Sequence, residues 1–85
     1  MQEEQKVIQR VLIAEAQEAE RLLNGPVFTK AYAATREHFI REWQEAKDVA
    51  SRELAHAKVA GLAEVQRQLR RTISAGEHAS RTDAR

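Results

Sequence analysis

Apolar residues recur along the first segment of the chain at the spacing of an α-helix. Successive members lie four, four, three and four positions apart: Ile8, Leu12, Ala16, Ala19 and Leu23. Residues three and four apart fall on one face of an α-helix, and acidic and amide side chains occupy the positions between them. The pattern predicts an amphipathic helix over about residues 4–24. Asn24, Gly25 and Pro26 are expected to end it with a left-handed C-cap.

Four aromatic residues mark a second helical segment with the same periodicity. They are Phe28, Tyr32, Phe39 and Trp43, and Thr35 fills the gap in their spacing. The spacing predicts a helix over about residues 27–47, with Pro26 suited to its first turn. This aromatic seam is expected to form the core, because large apolar patches seldom stay exposed on a soluble monomer. The alternative is that Phe39 and Trp43 leave one edge open to a partner.

The third apolar stripe runs from Leu54 to Ile73 and predicts a helix over about residues 51–75, ending at Gly76. Ser51 is expected to be its N-cap, although Asp48 caps equally well; without a bend there, the second and third helices would fuse. Gly61 lies inside this helix, where glycine often marks a close approach between helices. Residues 77–85 lack an apolar period and are expected to form a flexible tail.

These elements predict one all-α domain over residues 1–76, either an antiparallel helical hairpin or a small three-helix bundle with a projecting first helix. A first helix of about 24 residues would be about 36 Å long, which exceeds what so small a core can cover. The chain has 85 residues and no cysteine, so neither a disulfide nor a thiolate metal site can stabilise it. We therefore expect a homo-oligomer.

Composition argues against several classes of function. His38 and Glu42 have a ligand spacing, but a metal site needs at least three ligands, so neither a metal nor another cofactor is expected. The serines occupy cap or tail positions without a base, and no glycine-rich phosphate loop is present, so the chain is not expected to be an enzyme. No apolar run reaches the roughly 18 residues of a membrane span, and no signal peptide is evident. These features favour a cytoplasmic protein without a membrane partner.

The expected mode of action is contact with other macromolecules. The predicted protein interface combines the first stripe with the edge of the aromatic seam: Ile8, Leu12, Ala16, Ala19, Phe39 and Trp43. An alternative surface is a basic cluster of Arg67, Arg70 and Arg71, extended by Lys58, Arg81 and Arg85, which could meet nucleic-acid phosphates. The competing explanation is that these arginines only stabilise the C-terminal end of a helix dipole.

The stretch LLNGPVFTKAYAATREHFIREW, followed by ISAGEHA, resembles a group of short helical proteins of tailed bacteriophages and prophages. The shared positions are Asn24, Pro26, Phe28, Arg36, Trp43, Ile73 and Gly76. The resemblance implies a phage-encoded accessory or assembly protein, found in the host cytoplasm or the virion. Together with the predicted surfaces, it leads us to expect a non-enzymatic protein that self-associates and binds a phage or host protein. The alternatives are a DNA-packaging accessory that uses the arginine cluster and an inhibitor of a host defence enzyme.

Overall fold

A computed structural model of the protein describes residues 2–83, which form three helices. Helix α1 spans Gln2–Asn24, α2 spans Pro26–Glu45 and α3 spans Val49–Asp83. No strand occurs between residues 2 and 83. The predicted all-α class is therefore confirmed, and the second and third helices are separate.

The three helices form a long hairpin with one broken arm. Helix α3 is the continuous arm, while α1 and α2 follow each other along the other arm and contact each other far less than either contacts α3. Ala16 of α1 lies opposite Gly76, and Tyr32 of α2 donates its hydroxyl to the carbonyl of Leu62 at 3.2 Å. The Cα atoms extend over 58 × 26 × 15 Å. The molecule is thus a thin rod rather than a compact bundle.

The seam of the hairpin is built from very small residues. The buried positions in the described chain are four alanines and one glycine: Ala16, Ala19, Ala55, Gly76 and Ala79. On α3, Ala55, Leu62, Leu69 and Gly76 recur every seven residues along this contact, as in an antiparallel coiled coil. Small side chains let two helix backbones approach closely, but they bury little apolar area.

The junction between α1 and α2 differs from the predicted left-handed cap. Gly25 is extended, with φ −70° and ψ 132°. No described residue, glycine included, has a positive φ. The chain instead leaves α1 through a hydrogen bond from the Gly25 amide to the Leu22 carbonyl at 3.1 Å. Pro26 then opens α2, as predicted, because its fixed φ suits a first helical position.

Asp48 is the N-cap residue of α3, and the expectation that Ser51 is the N-cap is wrong. The Asp48 carboxylate accepts the Ser51 amide at 2.7 Å and the Ser51 hydroxyl at 3.0 Å. These two hydrogen bonds lower the pKa of the Asp48 carboxyl, the backbone one most strongly, because they favour its charged form. A fixed cap at this corner separates α2 from α3.

Helix α3 does not end at Gly76, and the predicted flexible tail is wrong for residues 77–83, which continue the helix. Ala79, one turn beyond Gly76, is buried. Packing of the α1 arm therefore extends the helix through a sequence without a clear apolar period. Residues 84 and 85, which belong to the same predicted tail, lie outside the described residues.

Gly76, and not Gly61, is the glycine at a close helix contact. A Cβ atom built on Gly76 would lie 2.1 Å from the Ala16 Cβ and 2.8 Å from the Leu12 carbonyl oxygen. A Cβ atom on Gly61 would have no neighbour within 4 Å. The expectation of a close approach at Gly61 is therefore wrong.

Candidate protein-interaction surface

Because the rod is only two helices thick at most levels, it presents two broad faces. A shallow groove beside the α2–α3 corner includes Glu42, Leu54 and Lys58. A second groove at the same end includes Trp43 and His56. Leu54 and His56 are about 200° apart around α3, so these grooves open on opposite faces.

The first face carries a row of large exposed apolar side chains. Leu54 and Thr72 are 18 residues apart, which is five helical turns, so they lie on the same side of α3 as Val65 between them. Thr72 and Leu22 line one groove, which joins this side of α3 to the same side of α1. Val11 lies eleven residues before Leu22, which is about three helical turns, so Val11 is on the same side of α1 as Leu22. We call Val11, Leu22, Leu54 and Val65 the apolar face.

The side chains of the apolar face are between 44% and 60% exposed, and Ile8 beside them is 58% exposed. Val11, Leu22 and Leu54 lie roughly 100° around their helices from the seam, and Val65 lies about 50° from it, so the two helices of one chain leave these side chains uncovered. Several large apolar side chains exposed on one face are typical of a protein contact. The face is open along most of the rod.

A charged cluster interrupts the apolar face between Leu54 and Val65. Lys58 donates to Glu42 at 3.0 Å, and His38 lies 3.0 Å from the other Glu42 oxygen. The hydrogen bond from Lys58 is the largest effect that lowers the pKa of the Glu42 carboxyl, and the charges of Lys58 and His38 act in the same direction. The Lys58 ammonium also lies 5.7 Å from the centroid of the Phe39 ring. This cluster links α2 to α3.

On the opposite face, the aromatic seam is only partly buried. Trp43 is 41% exposed, and its ring centroid lies 5.2 Å from that of His56 in a tilted arrangement. Phe39 is half-buried between α2 and α3. The expectation that the seam forms a closed core is therefore wrong for Trp43, which has an accessible edge.

The structure divides the predicted interface residues into two groups. Ala16 and Ala19 are buried in the contact between α1 and α3, so the prediction that they meet another molecule is wrong for the chain as folded. Leu12 is half-buried at the same contact. Ile8 and Trp43 remain exposed.

Sequence reasoning missed all four members of the apolar face as interface candidates. Leu54 and Val65 belong to the apolar stripe that predicts the third helix, and in the structure only other members of that stripe, such as Leu62 and Leu69, are half-buried. The sequence signal that could have identified them is the width of the apolar sector around each helix. A sector that is broader than one partner helix can cover predicts a second contact.

Arg67 and Arg71 of the predicted basic cluster lie on the edge of α3 that faces away from α1, whereas Arg70 lies about 100° around the helix from the seam. All three are exposed. Arg67 forms a salt bridge with Glu64 at 2.6 Å. A hydrogen bond from Gln68 is the largest effect that lowers the pKa of the Glu64 carboxyl, and the hydrogen bond from Arg67 is the next. Arg70 and Arg71 make no ion pair with the side chains described between residues 2 and 82.

The described residues contain no cluster of three or more potential metal ligands. None of the three helices has the length and apolar character that crossing a membrane requires. No family model, curated protein or solved structure matches the chain.

Proposed function

We propose that this chain is a non-enzymatic helical assembly protein that self-associates and binds a protein partner through apolar helix surfaces. The observation that carries the proposal is the apolar face, which stays open in a rod whose fully buried residues are alanines and one glycine, while the larger seam residues Leu62 and Leu69 are only half-buried. Covering that face requires a second molecule.

The dimensions of the rod support this proposal. Its radius of gyration is 18.0 Å, whereas a compact domain of this length has a value of about 12 Å. Its accessible surface is 6864 Å², against about 5,100 Å² for a typical folded monomer of 9.7 kDa. A small chain with so much exposed surface gains stability chiefly by association.

The resemblance to short phage and prophage proteins supplies a biological setting for the proposal. In that setting the protein is an accessory of virion assembly, acting in the host cytoplasm or within the virion. Once the apolar face is covered, the opposite face around Trp43 is the surface offered to a phage or host protein. An inhibitor of a host enzyme would use the same kind of contact and differ only in its target.

The first test is the native mass of the purified protein by light scattering at low and high salt. We expect a dimer or larger oligomer at both, because apolar contacts are little affected by screening. Leu54→Lys combined with Val65→Lys should give a folded monomer, since both side chains are exposed within one chain. Val49→Lys is the matched control, because Val49 is 66% exposed and lines the groove on the opposite face. A wild-type monomer at working concentration would contradict self-association.

A second candidate function is binding to nucleic acid, favoured by the outer edge of α3. Arg67, Arg71 and Arg81 lie four and ten residues apart on one exposed stripe that faces away from α1. Binding through such a stripe should weaken steeply with salt. Loss of DNA retention in Arg67→Ala/Arg71→Ala, with the native mass unchanged, would support it. Equal retention by the variant would contradict it.

A further inference from the structure

We propose that a second copy of this chain covers the apolar face in an antiparallel arrangement, giving a four-helix bundle with a twofold axis across the middle of the rod. This inference rests on the proposed self-association and adds its geometry. The orientation of the second copy follows from where each member of the apolar face lies along the rod.

Positions along the rod follow from the antiparallel register of α1 and α3. Ala16 lies opposite Gly76, and each residue advances about 1.5 Å along its helix in opposite directions. Val11 therefore lies opposite about residue 81 of α3, and Leu22 opposite about residue 70. Leu54 and Val65 lie on α3 itself.

These positions are symmetric about one level. Leu54 and Val11 are equally far from a level between residues 67 and 68 of α3, to within about one residue. Val65 and Leu22 are centred on the same level. A twofold axis at that level and perpendicular to the rod brings Leu54 to the same layer as the partner's Val11. The same rotation brings Val65 to the layer of the partner's Leu22.

The charges on the face favour this orientation over a parallel one. Glu15 lies opposite about residue 77, so the same axis brings it to the level of the partner's Lys58. Glu18 comes to the level of the partner's His38, which flanks Glu42 in the charged cluster. With an axis along the rod, Glu15, Glu18 and Lys58 would instead each lie level with their own copies. Like charges at one level disfavour that arrangement relative to the antiparallel one, in which opposite charges share a level.

The available area is sufficient for a stable dimer. A standard interface buries about 800 Å² on each partner, and the broad side of the rod measures 58 × 26 Å between Cα extremes. Neighbouring helices of the bundle are all antiparallel, because α3 meets the partner's α3 and α1 meets the partner's α2. That is the arrangement of up-and-down four-helix bundles.

The test uses distances between spin labels on single cysteines, which the cysteine-free chain allows without other changes. Arg52→Cys places a label near one end of α3, and Arg71→Cys places one near its middle; both arginines are exposed and outside the apolar face. In the antiparallel dimer the Arg52→Cys labels should be about 45 Å apart. The Arg71→Cys labels should be less than about 30 Å apart.

Each result has a distinct meaning. A long Arg52→Cys distance together with a short Arg71→Cys distance supports the antiparallel bundle. Two short distances would overturn it in favour of a parallel dimer and leave self-association intact. A protein that light scattering finds monomeric at the labelling concentration would overturn both the geometry and the proposed self-association.

Discussion

Gly76 is the residue on which the close contact of α1 and α3 depends. The neighbours that a Cβ atom would meet are the Ala16 Cβ and the Leu12 carbonyl, and neither is the mobile end of a long side chain. Substitution must therefore push the two helices apart over the seam that carries most of the buried residues. Helix propensity alone would predict the opposite effect, because alanine is the better helix former.

We predict that Gly76→Ala destabilises the protein by about 1–3 kcal/mol through overpacking. Gly61→Ala is the matched control and should stabilise by about 0.5–1 kcal/mol, because that site has open space and only helix propensity changes. Urea unfolding followed by circular dichroism measures both. Ala16→Gly should recover part of the loss in the Gly76→Ala background. Equal effects of the two glycine substitutions would contradict the close contact.

Asp48 is a second single residue with a measurable role. Its folded-state pKa is lowered by the Ser51 amide and hydroxyl, so its stabilisation is complete above the ordinary aspartate pKa and is lost as the pH falls through the lowered value. We predict that Asp48→Asn keeps a capping oxygen but removes this contribution to acid sensitivity. Thermal melts of both proteins between about pH 5 and pH 3 should therefore converge with acidification. A constant difference across that range would argue against the cap as the titrating group.

At the scale of elements, the sequence predicts where helices exist better than where they end. The break at Gly25 and Pro26 and the aromatic spacing of α2 are local signals, and both predictions hold. The end of α3 was placed at Gly76 because a glycine usually stops a helix, whereas here its missing side chain serves packing against Ala16. That use depends on a residue 60 positions away in sequence, which local pattern cannot reveal.

The same limit explains why the sequence alone did not identify the apolar face as the candidate interface. The stripe of Ile8, Leu12, Ala16 and Ala19 was correctly recognised as one helix face, but most of it is covered by α3 within the chain. Which of two apolar sides is used internally depends on the register of the hairpin. Only with that register known does the apolar face become identifiable as the side left over.

The α2–α3 corner offers a prediction at this scale. Trp43 and His56 are on different helices, and their rings are in tilted contact. Since Trp43 is 41% exposed, we predict that Trp43→Ala costs about 2 kcal/mol, below the 3–5 kcal/mol of a buried tryptophan. A double-mutant cycle with His56→Ala should give a coupling of about 0.5–1 kcal/mol. Strict additivity would mean that the rings do not stabilise the corner.

For the whole molecule, the central question is how a rod with a seam of alanine and glycine is stable. Its own buried positions contribute little apolar area, while the apolar face and the Trp43 edge remain in water. If the missing core is supplied by a second copy, folding and association become one equilibrium. Stability then depends on concentration, which distinguishes this explanation from a monomer stabilised by helix propensity alone.

We predict that the melting temperature rises by about 3–6 °C for each tenfold increase in protein concentration, since a dimer that unfolds to two chains gains about 1.4 kcal/mol per decade. Differential scanning calorimetry over two decades of concentration provides the measurement. Leu54→Lys/Val65→Lys should melt at a lower temperature that no longer depends on concentration, whereas Val49→Lys should behave like the wild type. If the wild-type melt is cooperative and independent of concentration, the seam alone holds the hairpin, and the apolar face must be kept for a different protein.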